Sequence, residues 1–256
     1  MEKKITFTNS KGQKLEGDLH LPSGQGPFPV IIMSNGLANR GKDAAERIAH
    51  ADYFCQKGFI VGRYNYSGYG NSENEIAKLT VSQAIDDLQC VIKETCQNDL
   101  ADPERLNLWG ISLGSLISMF VAAENPQIQS LVLVSSAPSL FPDAVEAKQL
   151  EFFKLWKQQG WINLPHITRK IDYSFYQDAK QKNAFSIVNK INCPVLMIHG
   201  QQDQVVASLP LAEQFYSKLS GPKEFIVLPQ GAHKYNEEDT IKIREASLTW
   251  FSQHND

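Results

Sequence analysis

The chain has 256 residues, a formal net charge of −3, 42% hydrophobic residues and 21% charged ones. That is enough for one large α/β domain with a sizeable core, and the charge balance gives no general nucleic-acid or anionic-membrane surface. No apolar run reaches the roughly 18 residues of a membrane span, and the start, Met1-Glu2-Lys3-Lys4-Ile5, has neither the apolar stretch nor the cleavage site of a secretory signal.

Taken in order, Ile5–Phe7 and Leu15–Leu21 flank the turn Lys11-Gly12-Gln13-Lys14 and read as an antiparallel hairpin. Pro22–Pro29 is a Gly/Pro loop. Val30-Ile31-Ile32-Met33 is a continuous apolar run, the pattern of a central strand buried on both faces. The loop 34–41 leads to a helix over Ala44–Gln56, closed by Gly58. Phe59–Tyr64 is a strand that enters the loop Asn65–Ser72, and Val81–Cys96 is a helix with apolar residues at Val81, Ala84, Ile85, Leu88 and Ile92. Leu106, Leu108 and Trp109 begin another strand, followed by a helix to Glu124 and a buried strand at Leu131–Val134. The alternation then stops. Residues 140–190 are rich in aromatics and read as a cap insertion, with eight Lys/Arg against five Asp/Glu. It resumes with a strand at Val195–Ile198, a helix at Leu209–Leu219, a strand at Glu224–Leu228 and a helix at Thr240–Phe251. Repeated strand–helix units predict a single α/β domain over residues 1–256, with a mostly parallel sheet covered on both faces. Its ligands would bind at the carboxyl ends of the strands.

Between the strand at 106–109 and its helix stands Gly110-Ile111-Ser112-Leu113-Gly114. A Gly-x-Ser-x-Gly turn from strand to helix holds its serine in a strained, exposed conformation, and the glycines make room for it. A hydroxyl is a poor nucleophile at neutral pH and needs a base. Of the six histidines, His233 lies in the loop after the last strand, at the same sheet edge as Ser112. His20, His50 and His254 fall on the hairpin, within a helix and in the tail, and His199 ends a buried strand; these read as structural or solvated. Asp203, in the loop after the preceding strand, would orient His233, and the order Ser112, Asp203, His233 suits an α/β sheet. The backbone N–H of Leu113 is the first candidate oxyanion donor, and that of Leu37, after Gly36, the second.

Together these pieces resemble the α/β-hydrolase superfamily. The hairpin at Leu15–Pro22, Asn35-Gly36-Leu37, Gly68-Tyr69-Gly70-Asn71-Ser72, Gly110–Gly114, Gly200–Asp203 and Gly231-Ala232-His233 are similar to small bacterial carboxylesterases of the cinnamoyl/feruloyl-esterase type and to hydrolases like serine aminopeptidase or monoacylglycerol lipase. Such relatives usually carry His-Gly where this chain has Asn35-Gly36, and Asp where it has Asn65. The resemblance covers nearly the whole chain except 140–190 and implies Ser112, Asp203 and His233 as a triad, with Leu37 and Leu113 as oxyanion donors; the 140–190 insertion is expected to cap the site. It implies a serine hydrolase of carboxylic esters working through an acyl-enzyme, with no metal or organic cofactor. An acyl-thioesterase or serine peptidase would use the same triad, and a binding protein would keep the scaffold without the chemistry. Trp156, Trp161, Tyr173 and Tyr176 are the cap aromatics expected to touch substrate. The expected partner is a small-molecule ester; a homodimer is left open. Cys55, Cys90, Cys96 and Cys193 have no zinc-type spacing and are read as reduced thiols of a cytoplasmic protein.

Overall fold

A strand whose side chains are apolar on both sides is stable only between two layers. The computed structural model describes residues 1–37, 41–73, 75, 78–143, 147, 149–163, 170–203 and 208–255. Its main sheet has β1 (Glu2–Thr8), β2 (Lys14–His20), β3 (Phe28–Ser34), β4 (Ile60–Tyr64), β5 (Ala101–Ile111), β6 (Ile128–Val134), β9 (Val195–Gly200) and β10 (Lys223–Leu228). The spatial order is β1-β2-β4-β3-β5-β6-β9-β10. The pairs β1/β2 and β2/β4 are antiparallel, and the others are parallel.

Alternate residues of each central strand feed two separate cores. Val30, Ile32, Leu106, Leu108, Leu131 and Leu133 face one layer, which includes α2 (Val81–Cys96) and α3 (Leu113–Glu124). Ile31, Met33, Trp109, Ile111, Val132 and Val134 face the other, made by α1 (Ala45–Gln56) and α7 (Glu237–Gln253). Between β6 and β9 lie α4 (Leu150–Gln159), a small antiparallel ribbon of β7 (Trp161–Asn163) and β8 (Lys170–Asp172), and α5 (Tyr173–Gln181). Residues of this segment join the α2/α3 layer. Ser82 donates through its backbone N–H and its hydroxyl to Asp178, and Lys78 pairs with Asp172 at 2.9 Å. A last helix, α6 (Leu209–Lys218), packs Ala212 and Phe215 into the same layer.

Several element boundaries differ from the sequence pattern, and two of them have a clear local reason. Helix α7 begins three residues before Thr240, because the Asn236 side chain caps the Asp239 N–H at 2.8 Å and Glu237, Glu238 and Asp239 fill the first turn. Strand β5 begins at Ala101, ahead of its apolar run, because Ala101 pairs with Phe28. Aromatic composition announces no strand within 140–190, so the β7/β8 ribbon comes only from the structure. The four cysteines are unpaired. Among the described residues, no helix is long and apolar enough to cross a membrane.

Candidate active site

Strand β5 delivers Ser112 at the first turn of α3 with φ 54° and ψ −118°. A left-handed φ is costly for a residue with a Cβ and persists only where surrounding structure holds it. Here the Ser112 N–H donates to the Val134 carbonyl at 3.0 Å, and its carbonyl accepts from the Ser115 N–H and the Ser115 hydroxyl. The turn also needs Gly114. A side chain there would strike the carbonyls of Ser34 and Asn35, so its absence lets the loop after β3 lie on the start of α3. That brings Gly36 beside the serine, where an added Cβ would sit 3.2 Å from Ser112 Cβ. Leu37, the next residue, is half-buried and lines the same cavity as Ser112. Leu113 is buried at the N-terminus of α3, where backbone N–H groups have no helical acceptor.

Two tyrosines that the sequence reading did not single out hold the Gly36 loop. The Tyr66 hydroxyl donates to the Asn35 carbonyl at 2.6 Å, and the Asn35 side-chain amide donates to the Tyr64 carbonyl at 2.9 Å. The Tyr64 hydroxyl pairs with Ser34 Oγ at 3.0 Å, and burial pushes both phenols above their ordinary range. Asn35 thus has a backbone partner of its own where relatives usually carry histidine. Asn65 turns its side chain to the Lys42 N–H and to Glu16, rather than hydrogen-bonding backbone groups of the Gly68–Gly70 loop.

Asp203 and His233 come from the loops after β9 and β10. Those loops are stitched by backbone bonds from Gln201 N–H to the Leu228 carbonyl and from Gln202 N–H to the Gly231 carbonyl. His233 Nδ1 lies 2.8 Å from Asp203 Oδ2; the carboxylate is buried, and the imidazole is 23% exposed. His199 Nε2 stands 3.8 Å from the same carboxylate oxygen and is fully buried. Behind His233, Tyr235 bonds Ser135 Oγ at 2.7 Å. Burial is the largest cause that pushes its hydroxyl up to about 12, so it stays protonated as that partner.

Ser112, His233 and Leu37 border one cavity of about 930 Å³. It runs along the α1/α7 side of the sheet, over Trp109, Ile111 and Val134, and reaches Arg47 and His50 on α1 and Thr240 and Ile243 on α7. Its described lining includes none of Trp156, Trp161, Tyr173 and Tyr176. Trp156 is fully buried in the cap, where its indole N–H donates to the Ile171 carbonyl at 3.1 Å, so it is a packing residue. Tyr173 and Tyr176 stack on each other at 5.1 Å, and Lys170 covers the Trp161 ring at 3.8 Å. The described core residues of the cap pack with the α2/α3 layer, on the other face of the sheet from this cavity. No group of three or more His, Cys, Asp or Glu placed to hold a metal occurs among the described residues.

This sheet order, with a serine on the turn after β5 and loops from β9 and β10 beside it, is that of an α/β hydrolase. Within that superfamily the chain belongs to the prolyl oligopeptidase family, whose profile matches residues 46–256. The mouse (Mus musculus) mitochondrial palmitoyl-protein thioesterase ABHD10 is 25% identical over 228 residues, 86% of this chain and 73% of that protein. Among solved structures, that of DcsB in complex with its substrate analogue aligns with a TM-score of 0.86 at 17% identity, covering 99% of this chain and 100% of that one. Est1E from Butyrivibrio proteoclasticus with ferulic acid bound aligns with a TM-score of 0.81 at 18% identity, over 98% of each chain. The family establishes a hydrolase of the serine type.

Proposed function

We propose that this chain hydrolyses carboxylic esters, with Ser112 as nucleophile, His233 as general base and acid, and Asp203 orienting the imidazole. The observation that carries the reading is the 2.8 Å bond between His233 Nδ1 and Asp203 Oδ2 in a cavity bordered by Ser112. With Nδ1–H committed to Asp203, the other ring nitrogen has its lone pair free to accept the Ser112 proton. Ser112 Oγ attacks the ester carbonyl, and the oxyanion takes hydrogen bonds from the N–H groups of Leu113 and Leu37. His233 then gives its proton to the departing alkoxide, leaving an acyl-serine and a free alcohol. Water, deprotonated by His233, attacks the acyl carbon; Ser112 leaves with the proton and the carboxylic acid is released. Losing one oxyanion donor typically costs about 3 kcal/mol of transition-state stabilisation.

The test follows hydrolysis of p-nitrophenyl acetate, butyrate, octanoate and palmitate by wild type and Ser112→Ala at neutral pH. Ester turnover that vanishes in Ser112→Ala is the expected result; turnover that survives it overturns the mechanism. A second reading, acyl-thioesterase, is favoured by the name of the mouse relative. It predicts that matched acyl-thioesters outrun oxygen esters in kcat/KM, with the same dependence on Ser112. The family description keeps a peptidase reading open, and p-nitroanilide peptides in the same assay decide it.

A further inference from the structure

The cavity that holds Ser112 also holds a cation without an adequate partner among the described residues. Arg47 projects from α1 with its side chain only 13% exposed. Its one ion pair among the described residues is with Glu46, at 4.0 Å, the outer limit of such contacts, and that carboxylate is itself 49% exposed. Its guanidinium carbon lies 5.1 Å over the centroid of the Trp109 indole, which offsets part of the charge, and among the described residues no oxygen accepts a hydrogen bond from its N–H groups. One turn along the helix, His50 lines the same cavity, buried, its ring 5.5 Å from that of Trp109, with no hydrogen-bond partner for Nδ1. Trp109 stands on β5 three residues before Ser112, so cation, indole and nucleophile border one continuous space.

Proteins seldom leave a guanidinium out of water and short of acceptors, because desolvation is costly unless an anion answers it. Arginine is also the side chain whose planar fork matches a carboxylate in two parallel hydrogen bonds. We propose that Arg47 reads an anionic group of the substrate, so that the esters taken by Ser112 carry a carboxylate on the part lodged between α1 and α7. The substrate half of this statement rests on the hydrolase reading above; the anion-binding half does not. Burial holds the Arg47 guanidinium below its ordinary value, with the charge of Glu46 and the nearby Tyr235 and Tyr66 opposing that shift. A bound carboxylate would relieve the same penalty. Two acids share the lining, Glu46 and Glu237; both are exposed, where water screens their repulsion.

The test measures binding by titration calorimetry to Ser112→Ala, which keeps the ester intact. Monomethyl glutarate is compared with methyl pentanoate, and monomethyl adipate with methyl hexanoate. The half-esters should bind at least tenfold more tightly than their neutral partners. Adding Arg47→Met should remove that preference, and raising NaCl from about 50 to about 300 mM should weaken only the half-esters. The salt series uses the natural arginine, so it decides even if Arg47→Met fails to fold. 4-Acetoxybutanoate, with its carboxylate on the alcohol side, tells the two placements of the anion apart, and a preference for either placement meets the proposal. Equal affinities, no saturable binding of any anion, or a preference untouched by Arg47→Met would overturn it. Fluorophosphonate labelling of wild type reports on the nucleophile separately. Labelling with equal affinities sinks the anion site alone, and anion binding without labelling sinks the hydrolase alone.

Discussion

The cap between β6 and β9 and the cleft between α1 and α7 lie on opposite faces of one sheet and satisfy their side chains in opposite ways. In the cap, Phe141, Phe153, Trp156, Tyr173 and Tyr176 meet edge to face, tilted or stacked with ring centroids 5.0–6.4 Å apart. The Trp156 N–H has its carbonyl. Those rings are largely one another's packing surface. In the cleft, Arg47, His50 and Ser112 border open space, and the fully buried Trp109 forms its floor. Aromatic density in a sequence therefore marks a place that packs well. A polar side chain held out of water and short of partners is the better pointer to a site.

The sharpest way to break this comparison is to disable the cleft without touching the cap. Asp203→Asn should lower kcat/KM on p-nitrophenyl butyrate by about 10⁴-fold, roughly 5 kcal/mol in the barrier, because the imidazole loses its orienting carboxylate. A loss under tenfold would remove Asp203 from the mechanism. The reciprocal change, Trp156→Ala, should cost about 3–5 kcal/mol of stability in urea unfolding, as expected when a fully buried aromatic leaves a void. The folded fraction should still label with a fluorophosphonate; folded but unreactive protein would mean that cap and cleft are coupled.

His50 gives the cleft a pH signature. Burial, then the neighbouring Arg47 charge, pulls its pKa down to about 3 from an ordinary 6.5, and Arg244 acts in the same direction. The unfolded chain binds this proton more readily than the folded one. Its contribution is therefore whole above about pH 6.5 and is lost as pH falls towards 3. Between pH 6 and 4 that amounts to about 2–3 kcal/mol, read as a falling urea midpoint that His50→Gln should flatten. Identical slopes in the two proteins would show that His50 has another way to take up the proton. The smallest effect is expected from Tyr66→Phe, which removes one bond to the loop carrying Gly36 and Leu37. About 1 kcal/mol of stability should go with it, and kcat should fall severalfold with KM nearly unchanged if that loop serves the transition state.

Much of this frame was legible in the sequence for a physical reason. Strands buried on both faces leave unbroken apolar runs, as at Val30–Met33 and Leu131–Val134, and the α2 boundaries fell where Thr80 caps the Gln83 N–H. The motif around Ser112 and the loops bearing Asp203 and His233 announced themselves by residue type and by their position after strands. What stayed hidden depends on contacts remote in the chain. Tyr66 reaches the Asn35 carbonyl across 31 positions, and Lys42 reaches the buried Asp18 carboxylate across 24. Nothing local in either segment reports such a partner. Arg47 was invisible for the converse reason: a charged residue on a helix reads as solvated, and only the structure shows the indole beneath it and the lack of an acceptor among the described residues.

The most direct measurement is to treat the intact protein with a fluorophosphonate and map the adduct by peptide mass spectrometry. A single modification on the peptide containing Ser112, abolished by Ser112→Ala and greatly slowed by Asp203→Asn, is the predicted result. No adduct, or an adduct on another serine with Ser112 unmodified, would contradict the assignment of the nucleophile and the ester chemistry built on it.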